Sequence, residues 1–280
     1  MKNRIQYIFL ASALLLAIAC NNEDGKPQPA DQTTGVATPD IINFAIVNKY
    51  PHDTSYFVEG LEFYKGQLFV SSGSGSSEPE TAPWLHPSAF GVADLKTGKT
   101  DTKVSIDNHK YFGEGITFFH DKVYQLTYRT KVGFVYDANT FKKIKEFTIP
   151  ASEGWGLTHD SASLIMSDGS SNLYFLQPDS LKLMSIVGVT DNSGPVANIN
   201  ELEYANGYIY ANQWLTPYIL KIDPVSGKVV GKMDFTAVIA EVNAKNPELN
   251  EFNGIAYNAA TGTFFVTGKL WPVIYEVRLQ

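Results

Sequence analysis

The sequence predicts an all-β protein, a five-bladed β-propeller, and three observations carry that reading. A small-residue turn, an apolar strand, a polar turn, a second apolar strand and a polar-aromatic cluster recur five times, from Glu59-Gly60-Leu61 to Asn253-Gly254-Ile255. Successive copies, marked by Gly60, Gly115, Gly156, Leu202 and Ile255, lie roughly 40 to 55 residues apart, the period of a four-stranded blade. The fifth copy reaches Gln280 without a fourth strand, whereas an alternating segment at residues 42–47 precedes the first copy and belongs to none. Pairing that segment with the last blade closes the ring and removes its open edges.

The chain begins with Lys2 and Arg4, followed by an apolar run over residues 5–19 that ends Ala17-Ile18-Ala19-Cys20. A charged start, a short apolar stretch and small residues at its end read as a secretory signal, too short to favour a spanning helix. The only cysteine stands at the cleavage position, so residues 1–20 resemble a bacterial lipobox, with Ala17 where leucine is commonest. The expectation is a lipid on Cys20, contact with a membrane through it, and a place in the cell envelope, in the periplasm or on the outer surface. Cleavage after Ala19 without lipidation is the alternative. Residues 21–40 are polar, with Pro27, Pro29 and Pro39, and read as a flexible tether. The propeller is expected over residues 41–280.

In each repeat two more strands follow the first pair. Third strands are expected at 89–95, 133–136, 172–176, 218–222 and 273–277, and turns such as Asp223-Pro224-Val225-Ser226-Gly227 close four of them. Fourth strands follow, as at 143–147 and 229–233. A short helix is expected over Thr236–Lys245, in the loop before the fifth repeat.

Of the 280 residues, 44% are hydrophobic and 18% charged, enough to bury a sizeable core. The net charge of −7, nearer −9 once Lys2 and Arg4 are removed, argues against nucleic acid, which calls for a basic face. The five histidines, His52, His86, His109, His120 and His159, form no HxH or HExxH pair, and no GxSxG elbow or phosphate-binding glycine loop occurs. No catalytic metal, no other cofactor and no covalent nucleophile are expected; a structural cation in the central channel is left open. A monomer is expected.

In a propeller the start of each first strand and the end of each second strand meet on one face. Here the starts carry Phe57, Glu59, Phe112, Glu114, Glu153, Trp155, Asn200, Glu201 and Asn253, and the ends carry Ser71, Ser72, Tyr128, Arg129, Asp168, Asn212, Trp214, Lys269 and Trp271. The opposite face carries plain turns such as His120-Asp121-Lys122. A concave face with converging polar groups is the default site. Each residue also has a plainer reading. The three tryptophans serve equally as packing between blades, Glu114 and Glu153 as acceptors for backbone N–H groups, Asn200 and Asn253 as turn caps, and Lys269 as a solvated cation.

Eight motifs then come in order: FGEG at 112–115, LTY at 126–128, EGWGLT at 153–158, SDGS at 167–170, NELEY at 200–204, ANQW at 211–214, NGIAY at 253–257 and TGKLWP at 267–272. The stretch from residue 41 to 280 resembles the plant and bacterial type of glutaminyl-peptide cyclotransferase, a five-bladed propeller family. The resemblance implies conversion of a peptide's N-terminal glutamine to pyroglutamate with loss of ammonia. The nucleophile then comes from the substrate, in keeping with the missing nucleophile motif. By the resemblance Glu114 shuttles the proton, and Asn200 and Lys269 stabilise the oxyanion. Trp155, Trp214, Phe57 and Phe112 wall the pocket.

Three positions depart from the family pattern. Glu59 replaces a pocket glutamine, Val70 takes the place of a glutamate, and Tyr128 replaces a pocket tryptophan. Glu59 is expected near the substrate's α-amine, where a carboxylate would hold the amine as ammonium. The alternative to an enzyme is a non-catalytic envelope propeller that binds a peptide or small ligand in the same pocket.

Overall fold

The computed structural model describes residues 37–74, 86–247 and 251–280. The expected signal segment with Cys20 and the tether up to residue 36 lie outside the described residues. Among the described residues the strands form five blades and one small two-stranded hairpin, and the one helix is Thr236–Lys245, as expected.

The innermost strands are Phe57–Tyr64, Gly113–Phe119, Leu157–His159, Ile199–Ala205 and Phe252–Asn258. Each lies against the innermost strands of both neighbouring blades, the fifth against the first, so the ring is closed. One apolar cluster fills each of the five gaps between blades. Val238 and Val242, one helical turn apart, add the helix to the cluster between the fourth and fifth blades.

The N-terminal strand does close the last blade. Phe44–Pro51 pairs antiparallel with Val273–Leu279, with Phe44 opposite Leu279 and Pro51 opposite Val273. It starts at Phe44, not at the expected 42, and runs past 47 to Pro51, with Phe44 stacked on Phe235 at 4.3 Å and Tyr50 on Phe265 at 5.7 Å. Just before it, Asp40 and Ile41 pair in parallel with Gly231 and Lys232 of the fourth blade, and Pro39 is buried. The incoming chain thus touches two blades. A two-residue strand has no period for a sequence to display.

Four innermost strands slip register near their start: between Val58 and Gly60, Gly113 and Ile116, Ile199 and Leu202, and Phe252 and Ile255. Such bulges re-aim side chains at the end of a sheet. Together with Trp155-Gly156 in the third blade, they align Glu59, Glu114, Trp155, Asn200 and Asn253 as one ring of positions. The next ring is Gly60, Gly115, Gly156, Glu201 and Gly254. Space explains the glycines: a Cβ on Gly115 would lie 2.6 Å from the Leu157 nitrogen and the Trp155 oxygen of the next blade.

Glu201 is the exception in that ring, and it faces the channel rather than the upper face. Its carboxylate accepts N–H from Ile255 at 2.7 Å in the fifth blade and from Leu61 at 3.1 Å in the first. Deeper in, Glu62 accepts from Phe118, Thr158 from Tyr204 and Glu203 from Tyr257, at 2.9, 3.0 and 2.9 Å. Side chains of one blade therefore satisfy backbone donors of another, and an unmet buried donor would be costly.

Burial pushes Glu203 up to about 8 and holds Glu62 and Glu201 well above the carboxylate range, and the charge of Glu203 raises both further. A carboxyl raised on folding contributes stability that is complete below its unfolded pKa and is lost as pH rises through its folded one. Glu203→Gln keeps an oxygen for the Tyr257 N–H. It should leave the melting temperature unchanged near pH 4, below the unfolded value of 4.5, and raise it at pH 9 by about 3 °C or more, the shift from roughly 1 kcal/mol in a chain this long. Thermal melts across that range test it, and a gap that shrinks with rising pH contradicts it.

Candidate active site

The ring of bulges opens onto the upper face, and there the expected residues converge. Lys269 Nζ lies 2.8 Å from Glu59 Oε1, and both side chains are almost fully buried, 9% and 2% exposed. Asn253 Nδ2 donates to Glu59 Oε2 at 3.2 Å and to the Val58 carbonyl at 3.0 Å. Glu114 and Asn200, both buried, occupy the equivalent positions of the second and fourth blades. Their backbones are pinned from the preceding blade: Ser71 Oγ donates to the Glu114 carbonyl at 2.5 Å and Ser167 Oγ to the Asn200 carbonyl at 2.7 Å.

An arc of aromatic rings stands around this floor. Phe57 meets Phe112 edge-on at 6.2 Å, Phe112 meets Tyr128 at 5.8 Å, Tyr128 meets Trp155 at 6.5 Å, and Trp155 meets Trp214 edge-on at 5.5 Å. Tilted and edge-on contacts are the favoured ones between such rings. The arc closes on the lysine, whose Nζ is 4.6 Å from the centre of Phe57. Phe57, Phe112, Tyr128, Trp155, Trp214, Lys269 and Glu59 are thus joined in one chain of contacts, and Glu114 feels the charges of Glu59 and Lys269. Tyr128 occupies its place in the arc, with Arg129 over its outer face at 4.5 Å.

The other upper-face residues have supporting or unrelated places. Glu153 takes the Trp155 indole N–H at 3.0 Å and pairs with Arg129 at 2.9 Å, so it orients the wall. Asp168 accepts from the Tyr174 hydroxyl at 2.8 Å. Trp271 is fully buried against Phe252 and Tyr275, which is packing between elements and not a pocket wall. Val70 is buried in the cluster between the fifth and first blades, away from the pocket. Asn253, which reads equally as a turn cap in the sequence, is part of the floor; aligning the five inner-strand starts, four of them bulged, is the signal that finds it. Among the described residues no three His, Cys, Asp or Glu side chains are grouped to hold a metal.

The floor holds two carboxylates and one ammonium. Burial pushes Glu59 up to about 7, against the pull of Lys269. Burial and then the Glu59 charge hold Glu114 well above the ordinary range. Burial alone would lower Lys269, but Glu59 and Glu114 together raise it. The floor therefore combines a lysine whose charge two carboxylates favour, a Glu114 whose neutral form burial favours and a Glu59 that titrates near neutrality. Perturbed pairs of this kind mark acid–base chemistry. Asn200 Oδ1, Asn253 Oδ1 and Asn212 Nδ2 are buried without a hydrogen-bond partner, unmet polar atoms suited to a ligand.

The sequence profile of the glutamine cyclotransferase family matches residues 13–279. The chain belongs to that family. It is 34% identical over 243 residues to a glutaminyl-peptide cyclotransferase of Arabidopsis thaliana, covering 86% of this chain and 72% of that protein. The crystal structure of Myxococcus xanthus glutaminyl cyclase superposes with a TM-score of 0.76 at 35% identity, over 86% of this chain and 98% of that one. Family and fold therefore agree.

One glycine of this glutamine cyclotransferase sets the position of the wall. Gly169 has φ of +79°, and a Cβ there would lie 2.6 Å from the Trp155 ring. Gly169→Ala should push Trp155 off Trp214, change the tryptophan emission, and raise KM for a glutamine-initiated peptide about tenfold. An unchanged emission spectrum and KM would show that the wall is not set here.

Proposed function

We propose that this chain is a glutaminyl-peptide cyclotransferase that closes an N-terminal glutamine to pyroglutamate and releases ammonia. The observation that carries the reading is Glu114, a buried carboxyl held above the ordinary range by burial and by the neighbouring Glu59 of the Glu59–Lys269 pair, below an arc of aromatic rings. The reaction needs the glutamine side chain folded back onto the α-amine, a proton moved from the attacking to the leaving nitrogen, and donors for the oxygen that gains charge. The arc from Phe57 to Trp214 is suited to enclosing the folded side chain and excluding water. Glu114 gives its proton to the leaving nitrogen and takes one back from the ring nitrogen. Lys269 spends one of its three N–H donors on Glu59, which leaves others for the oxygen. The Asn200 amide, with its oxygen unpartnered, is the second group able to turn toward the reacting amide. Nothing in this scheme calls for a metal or another cofactor.

Ammonia release from a peptide beginning with Gln, set against the same peptide beginning with Asn, tests the reaction. Only glutamine can close a five-membered ring, so the Asn peptide should give no ammonia above background. Glu114→Gln keeps size and polarity but removes the titrating proton, and should lower kcat by about 10²–10⁴-fold with the melting temperature preserved. Turnover within a few-fold of wild type would exclude Glu114 as the shuttle.

We place the enzyme in the cell envelope as a monomer, tethered through a lipid on Cys20, on the strength of the Lys2-to-Cys20 pattern. Cys20→Ser should move the protein from the membrane fraction to the soluble one without changing its activity. Equal membrane recovery of both forms would remove the anchor.

A further inference from the structure

Glu59 and Asn253 form an arrangement that Glu114, Asn200 and Lys269 do not account for. The Asn253 amide has a fixed orientation, because its nitrogen faces two acceptors, Glu59 Oε2 at 3.2 Å and the Val58 carbonyl at 3.0 Å. Its oxygen is thereby turned the other way, buried and without a partner. The pair therefore presents buried acceptors, the Glu59 carboxylate and the unmet Asn253 oxygen, and no spare donor. That is a receptor for a cation with N–H groups. Lys269 already satisfies one Glu59 oxygen and cancels most of its charge, so the carboxylate can receive a second cation without holding it as an immovable ion pair. This alters the sequence expectation that an isolated Glu59 would lock the amine as ammonium.

We propose that Glu59 and Asn253 bind the α-ammonium of the substrate, and that Glu59 is the catalytic base that frees it for attack. The inference rests on the cyclotransferase reading of the pocket and assigns a second carboxylate to it. Glu59 takes one proton from the α-ammonium. The α-nitrogen lone pair then attacks the side-chain amide carbon, forming the new C–N bond as the carbonyl electrons move onto oxygen. Glu114 protonates the amide nitrogen, the old C–N bond breaks as the carbonyl re-forms, and the Glu114 carboxylate recovers a proton from the ring nitrogen. Ammonia departs with the proton held by Glu59, as ammonium, and the floor returns to its starting state.

The charges around Glu59 favour this exchange. Lys269 and Glu251 act on it from the fifth blade, one lowering and one raising its pKa, and Glu59 in turn raises Glu114, which also feels Glu153. The result is a carboxyl at about 7 facing a peptide α-amine of roughly 7.7–8, so the transfer is uphill by only about tenfold or less. Glu114, also raised by burial and by the Glu59 charge, is suited to donation.

The test is the pH dependence of kcat/KM on one glutamine-initiated peptide for wild type, Glu59→Gln and Glu59→Asp, with melts to confirm folding. Wild type should rise as Glu59 ionises, with its limb near 7, and then stay level through pH 9, because the ammonium reacts with help from Glu59 and the free amine reacts without it. Glu59→Gln should rise only as the amine loses its proton, near the peptide amine's own pKa, with tenfold or greater loss near pH 6.5 and recovery by pH 9. Glu59→Asp should keep the wild-type shape at reduced height. A Glu59→Gln curve parallel to wild type overturns the proposal. So does loss of activity at every pH, since at pH 9 the amine needs no base. Binding is read separately with two peptides that cannot react, one beginning with norleucine and one with hexanoyl in its place. Wild type should bind the amine-bearing peptide at least tenfold tighter, and Glu59→Gln should bind both alike. Equal binding by wild type overturns the ammonium site. A wild type that discriminates between them yet releases no ammonia overturns the cyclotransferase reading and with it the role of Glu59 as base, while the ammonium site stands.

Discussion

The structure depends on how closely five innermost strands approach one another around a narrow channel. At that distance four of the five strands carry a glycine near their start, as the space around Gly115 requires, and only Glu201 places a side chain there. The strand answers by bulging, and the bulge turns the preceding residue up toward the face. Construction of the ring and construction of the pocket are therefore one event. The residues that pin the bulges, Ser71 and Ser167, reach from one blade to the next, so the floor is held by neighbours and not by its own strands. This is the rigid support that a reacting geometry requires.

The carboxylates of the molecule divide by depth. Glu62, Glu201 and Glu203 lie in the channel and accept backbone N–H groups of other blades. Glu59 and Glu114 lie one layer higher, where Lys269 and the aromatic arc replace those backbone partners. Burial raises all five, but only the upper pair sits beside an ammonium and amide oxygens left unmet. The same physical cost has a structural use below and a chemical one above. Separating the two populations by composition alone is impossible, since all five follow or precede a small or apolar residue at the start of an inner strand.

The repeats made the blades legible, because strand, turn and strand each have a local pattern that survives without knowledge of the partner. The helix at Thr236–Lys245 and the third strands at 172–176 and 218–222 fall where the pattern puts them. Ring closure was legible too, as an arithmetic mismatch between a missing strand at one end and a spare one at the other. The nine pocket residues were reached through ordered motifs and a family resemblance, and their convergence follows from the topology.

What the sequence determined by itself, then, is the number of blades, the face on which the chemistry gathers and the family. Tertiary structure alone decided that Trp271 packs inside while Trp155 and Trp214 line the wall, that Glu201 crosses the channel, and that Glu59 is held by Lys269 and Asn253. The reason is distance along the chain. Glu59 lies some two hundred residues from its partners, and a bulge shifts by one position which side chain points up. A period of two along a strand assigns faces only while the register is kept, and here the register breaks at the residues that matter most.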